Sequence, residues 1–265
     1  VIANRVLAAI VGLTIVVAAP AVGGARGPRL RDRASAQAVP PQATNAQAAT
    51  TPSRPVVASV ISHGSRLDKR VALTFDACSI DPPGVFDARI AAILREHQAA
   101  ATFFLGGKWM EEHPADTKSL AANPRFELAT HAYTHPHLTR LRDDQVLDQL
   151  QRAQAVLLSL TGRSGTLYRP PYGESNARVA ALAAGMGLTT VLFDLASGDP
   201  DPTITAAKLI AYVPQVAKRG AIVVMHINGR GWHTADALPD IIKRLRARGL
   251  ELVTVSEMLA DAAGR

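Results

Sequence analysis

The sequence predicts an α/β fold: a sheet or a distorted (β/α) barrel of about seven strands with helices outside. Three observations carry this. From residue 56 onward, short apolar runs rich in β-branched and aromatic residues alternate with longer amphipathic ones. That alternation repeats about seven times. With 48% hydrophobic residues in 265, the chain is long and apolar enough to bury a sizeable core.

In chain order, residues 1–25 come first. "VIANRVLAAIVGLTIVVAAPAVGGA" has one arginine, an uncharged apolar run from Val6 to Ala19, and small residues around a cleavage region. This is the grammar of a secretory signal peptide, or of an uncleaved anchor if the run to Val22 is counted. Export to the outer side of the membrane, secreted or tethered, is the expectation. Arg26, Arg29, Arg31 and Arg33 argue against it, because positive charge after an apolar run opposes translocation. Residues 26–55 are Ala, Gln, Thr, Ser and Pro with few large apolar side chains, the composition of a disordered linker.

The folded domain is expected over 56–265. Strands are expected at Val71–Phe75, Ala101–Leu105, Phe126–Thr130, Thr166–Arg169, Thr189–Phe193, Ile222–His226 and Leu250–Thr254. Helices are expected at Val85–His97, Asp143–Leu160, Ser175–Ala184, Thr203–Lys218 and Thr234–Arg248. The second of these has acids in its first turn, an apolar face through Val146, Leu147, Leu150, Ala153, Leu157 and Leu160, and Gly162 as its stop. No G-x-G-x-x-G follows a strand, so the chain lacks a dinucleotide fingerprint.

The formal charge of +7 invites a nucleic-acid reading. Residues 1–55 hold six arginines against Asp32 alone, which leaves 23 basic and 21 acidic residues for the rest. The basicity belongs to the N-terminal segment, and no nucleic-acid partner is expected. Cys78 is the single cysteine, so no disulfide can form within the chain. It reads as a small buried hydrophobe at a strand end.

In barrels of this kind chemistry gathers at the C-terminal ends of strands. The first strand is followed by Asp76, the third by "THAYTH" with His131 and His135, and the fourth by "YRPPYG" with Arg169 and Tyr172. The fifth is followed by "DLASGD" with Asp194 and Asp199, and the sixth ends on His226. Two histidines separated by three residues can meet one cation. Beside a lone carboxylate and a distant histidine they supply a Lewis acid, a base and an acid for hydrolysing an amide or ester. Taken singly, each has a plainer account: Asp76 as a strand-end cap, Arg169 as a surface ion pair, His226 as a satisfied core histidine.

The ordered set "TFDA", "HAYTH", "RPPYG", "DLASGD" and "VVMH" resembles the five motifs of the polysaccharide deacetylases of the NodB-homology type, carbohydrate esterase family four. The resemblance spans about residues 69–258 and is similar to a divergent subgroup whose first motif reads T-F-D-A-C. It implies a NodB-like barrel and a secreted cell-wall hydrolase of carbohydrate metabolism. That enzyme would remove acetyl groups from N-acetylated sugars of a polysaccharide, peptidoglycan among them, using a divalent metal, zinc by expectation. It implies Asp76 as catalytic base, His131 and His135 as metal ligands, and Arg169 as the arginine orienting the base. It further implies Asp199 as the acid paired with that arginine, Tyr172 as backbone oxyanion donor, His226 as general acid, and Val224 as a wall of the acetyl pocket. Trp232, just past His226, stands where a sugar ring can stack.

The sequence departs from the family at Ala77, where the third metal ligand is expected. Asp81 is the first substitute, then Asp87, then Cys78, although Asp87 also reads as a helix N-cap and Asp81 as a turn residue. Alternatively Asp76 or a second water completes the coordination. If the metal is lost, the chain is a non-catalytic carbohydrate-binding module on the same barrel. A metal-dependent amidase acting on a non-sugar amide is the third reading.

Overall fold

The computed structural model describes residues 58–79 and 85–260. The leader and linker expectations on residues 1–55 lie outside the described residues, as does Asp81.

Seventeen elements follow in chain order: β1 (Val60–Ile61), β2 (Arg70–Ala77), α1 (Ala88–Glu96), β3 (Ala101–Leu105), α2 (Gly107–Glu112), α3 (Pro114–Ala121), β4 (Phe126–Thr130), α4 (Asp143–Thr161), β5 (Leu167–Tyr168), α5 (Ala177–Gly185), β6 (Thr189–Val191), β7 (Leu195–Ala196), α6 (Ala206–Val216), β8 (Ala221–His226), α7 (Thr234–Ala247), β9 (Glu251–Leu252) and α8 (Val255–Ala260). All seven expected strands form, several shorter than their apolar runs. The two further strands, β1 and β7, have two residues each, too short to leave a periodic signal.

The strands make one sheet in the order β1-β6-β5-β4-β3-β2-β8-β7, with β9 also on β2. Every pairing is parallel. Parallel neighbours require crossovers, and the helices supply them. The sheet curls, and an antiparallel bridge from His63 to Ala221 returns the segment after β1 to β8.

The period of two along β2 divides the core. Val71, Leu73, Phe75 and Ala77 join the large apolar cluster that includes Ile90 and Leu94 of α1 and Leu238 and Ile241 of α7. Ala72 joins a separate cluster with Phe104, Val191 and Ile222. Phe75 is fully buried and stacked on Phe103 at 5.4 Å. Burying such a ring stabilises the fold by roughly 1.5–3 kcal/mol. Asp76 has the parity of Ala72, so its carboxylate faces away from the large cluster, whereas Ala77 belongs to it.

Local sequence fixes the helix ends. Asp87 accepts a hydrogen bond from the Arg89 N–H, Asn176 from Val179 and Thr205 from Lys208. α4 buries Val146, Leu150, Ala153 and Leu157 and ends on Gly162 at φ 73°, a left-handed stop that a side chain would strain. No helix of the described residues is long and apolar enough to cross a membrane.

Candidate active site

Register sets the site. Asp76 on β2 lies directly across from His226 on β8, and Ala77, Leu105 and Thr130 align across β2, β3 and β4. His131 is therefore the first residue beyond β4, and Arg169 the first beyond β5. The C-terminal ends of four strands meet around a cavity of about 250 Å³, walled in part by Asp76, His131, His135, Val224 and His226.

Asp76 lines the cavity and is paired with Arg169. Arg169 is fully buried and donates from Nη1 to Asp76 Oδ1 at 2.6 Å and to Thr74 Oγ1 at 2.8 Å. Its Nη2 donates to the Leu192 carbonyl at 3.2 Å, and the guanidinium lies 4.0 Å from the Phe104 ring centroid. Burial works to raise the Asp76 pKa, but Arg169, with His131 and His226, outweighs it and holds the carboxyl below the usual carboxylate range. Asp76 is thus an ionised acceptor inside the protein.

The two imidazoles stand beside it. His131 donates from Nδ1 to the Arg169 carbonyl at 2.8 Å, which fixes the tautomer and leaves the Nε2 lone pair free, 3.8 Å from Asp76 Oδ2. His135 packs edge-on to His131, with ring centroids 4.8 Å apart. Burial lowers the pKa of both rings, and the charge of a protonated His131 adds to this at His135, which is pushed down to about 3. Both are neutral near pH 7, the form that binds metals.

Among the described residues, four non-glycine positions have positive φ; two of them, His135 and Tyr172, line this cavity and a third, Ala132, follows His131. Backbone strain of this kind concentrates at functional sites. Tyr172, at φ 61°, is 54% exposed; its ring meets His135 at 4.5 Å and stacks on His137 at 3.9 Å.

Asp199 and His226 form the opposite wall. His226 donates from Nδ1 to Asp199 Oδ1 at 2.9 Å and from its backbone N–H to Oδ2 at 2.7 Å. Thr234 Oγ1 and Ser197 Oγ also donate to this carboxylate, at 2.6 and 3.0 Å. The expected pairing of Asp199 with Arg169 is therefore corrected: Asp199 is saturated by His226 and its neighbours, while Arg169 pairs with Asp76. The cause is topological, since β7, which leads to Asp199, lies beside β8.

The other expected residues divide. Val224 is buried against the cavity and Tyr172 lines it. Trp232 is 56% exposed and is not among the cavity's lining residues. Asp194 turns away to pair with Arg66 at 2.6 Å and to accept the Ile222 N–H. The sequence reading missed Thr74, Ser197, Thr234 and Arg230. Of these only Ser197, two residues before Asp199 in a serine-turn pattern, carries a local signal.

The residues present fit two ligands of a cation. His131 offers a fixed Nε2 lone pair and His135 a neutral ring beside it, but position 77 carries a methyl group. No group of three His, Cys, Asp or Glu side chains is arranged to hold a metal ion among the described residues. Asp87 is committed to α1 and to Arg89 Nη2 at 2.7 Å. Burial pushes the Cys78 thiol up, against the pull of Arg230, and its sulfur accepts from Asn228 Nδ2 at 3.4 Å.

The chain as a whole is similar to known proteins. A family model described as polysaccharide deacetylase matches residues 63–191. A peptidoglycan-N-acetylglucosamine deacetylase of Bacillus cereus is 30% identical over 203 residues, covering 74% of this chain and 70% of that protein. Another from Listeria monocytogenes is 31% identical over 74% of this chain, which spans only 40% of its length. A solved structure of a carbohydrate esterase family four pseudoenzyme from Bacillus anthracis superposes with a TM-score of 0.69 at 28% identity, over 76% of this chain and 69% of that one. A mutant of that protein is described as having restored enzymatic activity.

Proposed function

The chain belongs to the polysaccharide deacetylase family, and we propose that it hydrolyses acetamido groups on N-acetylated sugars of a polysaccharide such as peptidoglycan. One observation carries this reading. A single cavity has an ionised carboxylate, Asp76, on one wall and on another a histidine whose Nδ1 is tied to a buried carboxylate.

The chain's own groups have distinct tasks. Asp76 accepts the proton of the attacking water, and Arg169 keeps it ionised to do so. The Tyr172 backbone N–H is the donor toward the carbonyl oxygen as charge builds there. His226, held by Asp199 through Nδ1, presents Nε2 to the sugar nitrogen and delivers the proton without which an amine anion does not leave. Val224 bounds the space for the acetyl methyl. A divalent cation, zinc by the chemistry of two imidazoles, supplies Lewis acidity and makes water more acidic when bound at His131 and His135. With Asp87 and Cys78 engaged elsewhere, Asp81 is the third ligand in this reading. The substrates proposed lie outside the cell, which accords with export through the N-terminal apolar run.

A second reading, a glycan-binding module without turnover, is favoured by Ala77 and by the likeness to a pseudoenzyme. Acetate release from N-acetylglucosamine oligomers and from peptidoglycan separates the two. The first reading expects release that chelation stops and zinc restores. Saturable glycan binding that chelation leaves unchanged, with no acetate, would establish the second.

A further inference from the structure

Past β8 the chain reads Asn228-Gly229-Arg230-Gly231, and every residue around the arginine is fixed. Asn228 is fully buried and donates from Nδ2 to the Cys78 carbonyl at 2.7 Å. Gly229 sits at φ 82°, where a side chain is strained. A Cβ at Gly231 would stand 2.4 Å from the His226 carbonyl oxygen and 2.9 Å from Asp199 Oδ2, so only glycine lets this loop lie against the acid wall of the site. The backbone thus delivers one long, exposed cation, Arg230, to the lining of the cavity.

Among the described residues no carboxylate lies within ion-pair distance of Arg230, while the two carboxylates of the cavity are taken, Asp76 by Arg169 and Asp199 by His226. An uncharged sugar needs no such group. A carboxylate matches the planar fork of an arginine with two parallel hydrogen bonds.

We propose that Arg230 docks a carboxylate carried by the glycan, so that the preferred substrate is an acidic N-acetylated polysaccharide; this deepens the deacetylase reading and rests on it. The carboxylate can sit on a lactyl ether or on a uronic acid, and one substrate pair of each kind distinguishes them.

The test compares kcat/KM for an N-acetylated oligosaccharide bearing a free carboxylate with that for its methyl ester. For one pair the wild-type protein is expected to prefer the acid by about tenfold, mostly through KM, since a charge-assisted contact is discounted by partial exposure. In Arg230→Gln the ratio falls to about one, and Arg230→Lys keeps part of it. Equal rates for acid and ester in both pairs, or a preference that persists in Arg230→Gln, overturn the proposal. If no acetate is released the deacetylase reading has failed separately, and calorimetric binding of the same acid and ester decides for Arg230 by the same ratios.

Discussion

Arg169 Nη1 stands 2.6 Å from Asp76 Oδ1, a buried ion pair that ties β2 to the residue just past β5, two strands that are not adjacent in the sheet. A buried carboxylate without its partner is costly. Arg169→Met is expected to lower stability by about 3–5 kcal/mol in urea denaturation. It also removes the charge that opposes burial, so Asp76 picks up a proton more readily and acetate release falls by about 100-fold or more. A variant with wild-type stability and rate would show that the pair does neither.

The Asp199 carboxylate receives four hydrogen bonds, two of them from His226. Asn at this position offers one oxygen and one N–H group, so the His226 ring is no longer held with its proton on Nδ1. Asp199→Asn is expected to cut kcat by about 100-fold or more with little change in KM. The test includes the alkaline limb of the pH–rate profile, where a general acid loses its proton: it shifts if Asp199 acts through His226 and stays if Asp199 is only structural.

The low pKa values of His131 and His135 carry a consequence for stability. Both rings protonate near 6.5 in the unfolded chain, and His135 only near 3 when folded. Between those values the unfolded state binds more protons, so stability falls as pH drops from about 6.5 toward 3. Asp76 adds a loss further down, because its folded pKa is below the unfolded value and its contribution disappears as the group protonates. Thermal unfolding of chelator-treated protein should show a midpoint that declines through this window and a flatter profile in His135→Gln. A midpoint that rises on acidification contradicts the burial account.

For the cation, zinc calorimetry is expected to find one site that disappears in His131→Ala/His135→Ala. Asp81→Asn is expected to weaken it by about tenfold or more. Asp87→Ala is expected to leave zinc affinity unchanged and to cost about 1 kcal/mol of stability through its helix cap. Undiminished binding in the double variant removes these histidines from the ligand set.

Much of this site was legible in the chain because Asp76, His131, Arg169 and His226 each stand at the end of an apolar run, where a polar residue has an evident position. Their partners were not legible. Asp199 was expected to meet Arg169, but partner choice depends on sheet order, and order is not written along the chain: β7 lies beside β8. Arg230 left no trace for a related reason, since its placement depends on two glycines whose role shows only once Gly231 is seen against Asp199. The strands β1 and β7 escaped notice because two residues cannot display a period.

The measurement that bears most directly on the whole account is acetate release by Asp76→Asn against wild type, at saturating zinc, on an N-acetylated oligosaccharide the wild type turns over. The amide keeps the shape and loses the proton acceptor, so the rate should fall by about 100-fold or more while the folded protein still binds glycan. Release at an undiminished rate would mean that the carboxylate at the mouth of β2 is not the base, and that this cavity works by another route.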